Sequence, residues 1–191
     1  IVNSTLENSR FSFDVDMTKM LEEQKVFTDK NAYKDIVFGI FARDDIKDYF
    51  HLTAIEKDTM IATTGIDEEG HLIDVPDLPE GQYYIKELMT HSQYMLNEEE
   101  YDFEILYHEG DVSHFTVSIG NNGKIDNKLA RGNIRVQKKD SMNEKKKLSN
   151  IQFNLSIHED MSDVLTSLRT DVNGTVLFDN LELGTYYIQE D

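Results

Sequence analysis

Cysteine and tryptophan are absent from this 191-residue chain, and proline occurs only twice. Without cysteine there is no disulfide, no thiolate nucleophile and no zinc site built on sulfur. This does not fix the compartment, since many exported bacterial proteins also lack cysteine. Basic residues are scarce: 19 Lys and Arg stand against 37 Asp and Glu, for a net charge of −18. Such a surface repels phosphate backbones, which argues against nucleic acid as a partner. A basic amphipathic face for anionic lipid is missing, and no apolar run is long enough to cross a bilayer, so direct membrane insertion is not expected. No low-complexity tract occurs, and the length suits one large globular domain or two small ones.

Several catalytic signatures are missing as well. The six histidines (His51, His71, His91, His108, His114 and His158) show neither H-x-x-x-H nor H-E-x-x-H spacing. There is no G-x-S-x-G, P-loop or dinucleotide fingerprint. "DEEG" (Asp67–Gly70) and "DVNG" (Asp171–Gly174) share elements of calcium loops, but neither supplies the D-x-D-x-D-G ligand series, and a β-turn is the better reading. No metal and no cofactor is expected. A turnover enzyme such as a transthyretin-like hydrolase would need a convergent His/Arg site that the sequence does not offer. Tyr49, Tyr94 and Tyr107 could form a ligand patch, but tyrosines in β-rich chains more often pack half-buried.

What is present is a repeat. "FGIFARDDI" (Phe38–Ile46) aligns with "FNLSIHEDM" (Phe153–Met161), and "GHLIDVPDLPEGQYYIKE" (Gly70–Glu87) with "GTVLFDNLELGTYYIQE" (Gly174–Glu190). The first copy carries extra residues, most simply around Lys47–Thr64. A repeat of this length fits tandem domains rather than a solenoid.

The pattern within each copy is β. In "FSFDVDMTK" (Phe11–Lys19), Phe11, Phe13, Val15 and Met17 alternate with polar residues, and "NIRVQK" (Asn133–Lys138) does the same with Ile134 and Val136. "VFGIFA" (Val37–Ala42), "YDFEILY" (Tyr101–Tyr107) and "HFTVSI" (His114–Ile119) are further strands, separated by the turn signals "DEEG", "LPEG", "GNNG" and "VNG". Short strands at regular spacing predict an all-β sandwich. Helical turns are expected within Met20–Tyr33 and Asp44–Tyr49.

Extending the alternation puts polar residues on the core face. After Phe13, Val15 and Met17 the next inward position is Lys19; after Tyr83 and Ile85 it is Glu87; and in "KIDNKLARG" (Lys124–Gly132), Asn127 lies between Ile125 and Leu129. Copy two repeats this with Lys138 and Glu190. Unpaired buried charge is costly, and desolvation favours neutral forms of both lysine and glutamate. A neutral amine is a nucleophile, an adjacent carboxamide an electrophile, and a protonated glutamate is expected to donate to the amide oxygen and then carry protons to the departing ammonia. The product would be a Lys–Asn isopeptide bond made once, without a cofactor. Each residue also has an ordinary reading: a lysine snorkels, a glutamate opens a loop, an asparagine near glycine makes a turn. Joint occurrence and recurrence favour the chemical reading.

The string "ARGNIRVQKKD…LSNIQFNLS…TDVNGTVLFDNLELGTYYIQED" (Ala130–Asp191) resembles the start of a collagen-adhesin B-type, or SpaA-like prealbumin-fold, domain. The family pattern runs G-x-I-x-V-x-K-x-D, L-x-x-x-x-F-x-L, T-D-x-x-G, then L-x-x-G-x-Y-x-I-x-E. Copy one matches through Lys19, "IVFGIFA", "LPEGQYYIKE" and "IDNKLARG". It departs where no Gly-x-Val start precedes Lys19, and where "LMTHSQYMLNEEEYDF" replaces an A-P-x-G-Y segment. The resemblance implies tandem prealbumin-like, immunoglobulin-like sandwich domains of Gram-positive surface proteins and pili, many of them self-crosslinked. By position, Lys19 and Lys138 are the isopeptide donors, Asn127 the acceptor, and Glu87 and Glu190 the catalytic acids. "IVN" looks like the last strand of a preceding module, with Asn3 in its acceptor position, so the chain reads as an excerpt of an array.

The expected organisation is therefore a tail of a preceding module over residues 1–8, a first domain over 9–131, and a second over 132–191 lacking its C-terminal strands. The expected function is a structural stalk module of a cell-surface adhesin or pilus, extracellular at the cell wall, whose partners are neighbouring modules of the same chain. The alternative is a binding module contacting a host or matrix protein, which exposed apolar residues within Lys47–Thr64 would favour.

Overall fold

A computed structural model of the chain describes residues 12–106, 114–143 and 145–191. They divide into two compact units, one holding residues up to Glu23 together with Asp29–Leu129, the other Gln24–Thr28 with Ala130–Asp191. The fold is all-β. Among the described residues there is no α-helix, only one 3-10 turn at Ala32–Asp35.

In the first unit the strands are β1 (Ser12–Asp16), β2 (Thr18–Leu21), β3 (Val37–Ala42), β4 (Ile46–Lys47), β5 (Thr53–Ile55) and β6 (Met60–Ile66). They continue with β7 (Leu72–Ile73), β8 (Gly81–Met89), β9 (Tyr101–Ile105), β10 (His114–Ser118) and β11 (Lys124–Asn127). One sheet has the order β7-β6-β3-β8-β9; opposite it, β1 pairs with β10 and β2 with β11, both in parallel. A core of Met17, Phe38, Ile40, Tyr83, Ile85, Ile105, Ile119 and Ile125, each at most 1% exposed, fills the space between. Parallel pairing of the first strands with the last is non-local, and a helix or chain reversal nearby in sequence does not announce it.

The second unit comprises β12 (Arg131–Gln137), β13 (Gln152–Ser156), β14 (Val164–Arg169), β15 (Thr175–Glu182) and β16 (Tyr187–Glu190). Here β12 pairs with β15, and β14-β13-β16 form the second layer. Phe153, Leu155, Val176 and Phe178 make the core, with Ile134, Val136 and Ile188 packed against it. Glu182 is buried, and its carboxylate accepts the peptide N–H groups of Lys25, Val26 and Phe27.

Local devices recur between the units. Tyr83 donates its hydroxyl to the carbonyl of Pro79, and Tyr186 donates to that of Glu182, each four residues back. This is the corner bond that fixes a strand's entry into a sandwich. Asp67 takes the N–H groups of Glu69 and His71 on one oxygen; Asp171 takes those of Asn173 and Thr175. The carboxylates of "DEEG" and "DVNG" thus close their own turns.

The helical turns expected within Asp44–Tyr49 are replaced by the β4–β5 hairpin. Asp45 accepts the Lys57 N–H and Asp48 the N–H groups of Phe50 and Leu52, so the aspartates bond the loop rather than a helix. Within Met20–Tyr33, Met20 and Leu21 finish β2, and Ala32 and Tyr33 open the 3-10 turn. Part of β6 falls within the stretch Lys47–Thr64, yet it is an inner strand paired with β3. The residues without a counterpart between β13 and β14 are those of the hairpin.

Candidate functional site

Three strands converge on one buried polar cluster in the first unit. Lys19 on β2 follows Met17 on the inward side and is 0% exposed; Glu87 on β8 follows Tyr83 and Ile85 and is 3% exposed; Asn127 closes β11 and is 2% exposed. The parallel register of β2 and β11 sets Lys19 beside Ile125 and Leu21 beside Asn127. On the facing sheet, Glu87 stands opposite Phe38 of β3.

The contacts define a compact triad. Lys19 Nζ donates to Asn127 Oδ1 at 2.6 Å and lies 3.3 Å from Glu87 Oε1. Asn127 Nδ2 donates to both Glu87 oxygens at 2.9 Å and to Thr90 Oγ1 at 2.8 Å, so Glu87 faces the amide nitrogen and not, as expected, the amide oxygen, which Lys19 Nζ occupies. The Asn97 peptide N–H donates to Glu87 Oε2 at 2.8 Å. Phe38 walls the amine, its ring centroid 5.4 Å from Nζ. Burial pushes the Lys19 amine below its ordinary pKa, and the attraction of Glu87 offsets this only in part.

The lysine is also held through its backbone. Lys19 N–H donates to the Gly70 carbonyl at 2.7 Å, and Lys138 N–H to the Gly174 carbonyl at the same distance. Both glycines have positive φ, +92° and +71°, and both press against the carbonyl oxygen of their lysine. No larger residue fits such a position without moving the lysine.

In the second unit Lys138 Nζ lies 2.5 Å from Glu190 Oε2, and Glu190 stands opposite Phe153 as Glu87 stands opposite Phe38. Here the pair is partly open to solvent, its side chains 34% and 38% exposed, whereas those of Lys19 and Glu87 are at 0%. Asn3 lies outside the described residues.

Two groups of the first site carry no signal in the sequence. Thr90 and Asn97 sit in the segment between β8 and β9, which has neither strand nor helix periodicity. That segment is nevertheless tied to β11: Asn97 Nδ2 donates to the Asp126 carbonyl at 3.1 Å and the Met95 N–H to that of Lys128 at 2.8 Å. Among the described residues no group of His, Cys, Asp and Glu could hold a metal ion, and no helix is long and apolar enough to cross a membrane.

Two prealbumin-like sandwiches in tandem, one with a buried amine, carboxyl and carboxamide in mutual contact, define a recognisable class of module. The model of the SpaA prealbumin-like fold domain matches residues 19–123 and 132–191, and the chain belongs to that family. Among solved structures, the Bacillus anthracis TIE protein aligns over 82% of this chain at 22% identity with a TM-score of 0.58. This chain spans 25% of that protein's length, and the likeness shows the fold. A C-terminal fragment of the pilus adhesin SpaC from Lactobacillus rhamnosus GG aligns at 15% identity over 95% of this chain and 74% of its own, TM-score 0.47. A streptococcal ancillary pilin aligns at 18% identity over 100% of this chain and 56% of its own, TM-score 0.41. No curated protein matches the sequence.

Proposed function

We propose that the chain is a structural module of a bacterial cell-surface adhesin or pilus, in which Lys19 and Asn127 join in an isopeptide bond through Glu87. The observation that carries this reading is the sealed contact of amine, carboxyl and carboxamide between strands 108 residues apart. A buried ion pair with a carboxamide wedged against it is a poor way to gain stability alone, because desolvation cancels much of the attraction. As reactants the same three groups are complementary.

Glu87 Oε1 takes a proton from the Lys19 ammonium, leaving a neutral amine whose nitrogen attacks Asn127 Cγ. The Nζ–Cγ bond forms and the Cγ–Nδ2 bond breaks. Two protons in all leave Nζ and reach Nδ2 by way of Glu87, so the carboxylate is regenerated and the nitrogen departs as ammonium. Oε1 suits this shuttle because it faces both nitrogens, while Oε2 also receives the Asn97 N–H. Each chain reacts once, so the module is not a turnover enzyme. Lys138 and Glu190 form the corresponding donor and acid of the second domain.

Intact-mass measurement tests the reading. The folded wild-type chain should be lighter than its sequence by one ammonia, and E87A should retain the full mass. An unchanged wild-type mass would overturn the linkage.

A second reading has its own support. At the tip of the β4–β5 hairpin Tyr49, Phe50 and Leu52 are 92%, 75% and 65% exposed, with the two rings edge-to-face at 5.4 Å. Exposed aromatics on a short, aspartate-braced hairpin suit contact with a host or matrix protein, the module then serving as an adhesin. Solid-phase binding to matrix proteins should fall in Y49S/F50S with the melting temperature unchanged; no binding by wild type to any of them would remove this reading.

A further inference from the structure

We infer that the Thr90 hydroxyl is a positioning residue of the linkage reaction, holding the leaving nitrogen of Asn127 while Glu87 serves it protons; this rests on the linkage proposed above. An amide nitrogen has two N–H groups, and the site satisfies both from different sides. One is shared by the two Glu87 oxygens at 2.9 Å, and the other is taken by Thr90 Oγ1 at 2.8 Å. With both directions occupied, the carboxamide cannot rotate about its last side-chain bond. Its oxygen is thereby kept toward Lys19 Nζ at 2.6 Å, and its nitrogen toward Glu87.

The Thr90 contact gains importance as the reaction proceeds. When Nζ bonds to Cγ, the carbon becomes tetrahedral and Nδ2 turns pyramidal, exposing a lone pair that was delocalised in the amide. That lone pair must meet the proton on Glu87. Thr90 keeps one N–H fixed, so the nitrogen pyramidalises with its lone pair toward the acid rather than turning away from it. After the Cγ–Nδ2 bond breaks, the same hydroxyl still holds the departing nitrogen. A surface cleft of about 470 Å³, lined by residues 95–99 and 126–128 and including Asn127, offers its exit. Thr90 touches the leaving group but exchanges no electrons with it.

Timed cell-free synthesis of the full chain, quenched in acid and read by intact mass, gives the rate at which ammonia is lost. T90V keeps the shape and removes the acceptor, and it should slow the loss by about tenfold or more; T90S restores the hydroxyl and should restore the rate. Rescue by serine separates positioning from packing, because serine lacks the methyl group that a structural role would use. If T90V fails to fold, T90A against T90S decides: a slow alanine and a fast serine support the role. Equal rates for wild type and T90V, or for T90A and T90S, overturn it while leaving the linkage intact. A wild-type chain that never loses ammonia overturns the linkage and this role together.

Discussion

Gly70 leans on Lys19: a Cβ added to the glycine would lie 2.4 Å from the lysine's carbonyl oxygen, and its φ is +92°. The turn glycine is therefore part of the device that seats the amine, although it is remote from the amine in sequence. G70A must move the backbone of Lys19 or the turn, and it must adopt a left-handed conformation besides. We expect a loss of about 2 kcal/mol or more in urea unfolding, with incomplete ammonia loss in the folded fraction. Full linkage in G70A would show that the seat tolerates displacement. The matching contact of Gly174 with the Lys138 carbonyl, at 2.6 Å, predicts the same stability loss for G174A.

The buried amine also predicts a pH dependence in a chain that cannot link, such as N127A. Burial holds the folded-state pKa of Lys19 below the ordinary 10.5. Between the two values the unfolded chain binds more protons, so stability rises with pH there. It is greatest above 10.5 and is lost as pH falls through the folded-state value. The slope is at most about 1.4 kcal/mol per pH unit from this one group. Urea midpoints of N127A across the alkaline range should follow that rise, and K19M/N127A should not. Parallel curves for the two variants would show that burial does not lower the pKa of the lysine.

Much of this site is legible in the sequence because strand alternation is local. Met17 and Lys19 share a face, as do Tyr83, Ile85 and Glu87, and Ile125, Asn127 and Leu129; each of these residues is buried. Alternation also ranks Lys138 and Glu190 with the core, but it cannot say how well they are covered; that depends on strands from elsewhere, and both remain partly exposed. The parallel pairing of β2 with β11 joins residues about a hundred positions apart and leaves no periodic trace. The helix expected at Asp44–Tyr49 fails because Asp45 and Asp48 bind amides of their own loop, a preference that apolar spacing does not reveal.

Force distinguishes the linked from the unlinked module most directly. β1 and β2 enter the first unit, β10 and β11 leave it, and the pairs run parallel, so tension between them shears their hydrogen bonds together. The Lys19–Asn127 bond would bypass even that ladder. On the loop-entropy estimate used for disulfides, closing this span stabilises the domain by roughly 4–5 kcal/mol. The larger effect is on extension, since a covalent bond withholds everything between its ends. The 108-residue span amounts to roughly 360–390 Å of extended chain. In single-molecule pulling, E87A should release that length in an unfolding step, and wild type should not. Equal contour lengths in the two chains would mean that tension passes through the first unit without meeting a bond between Lys19 and Asn127.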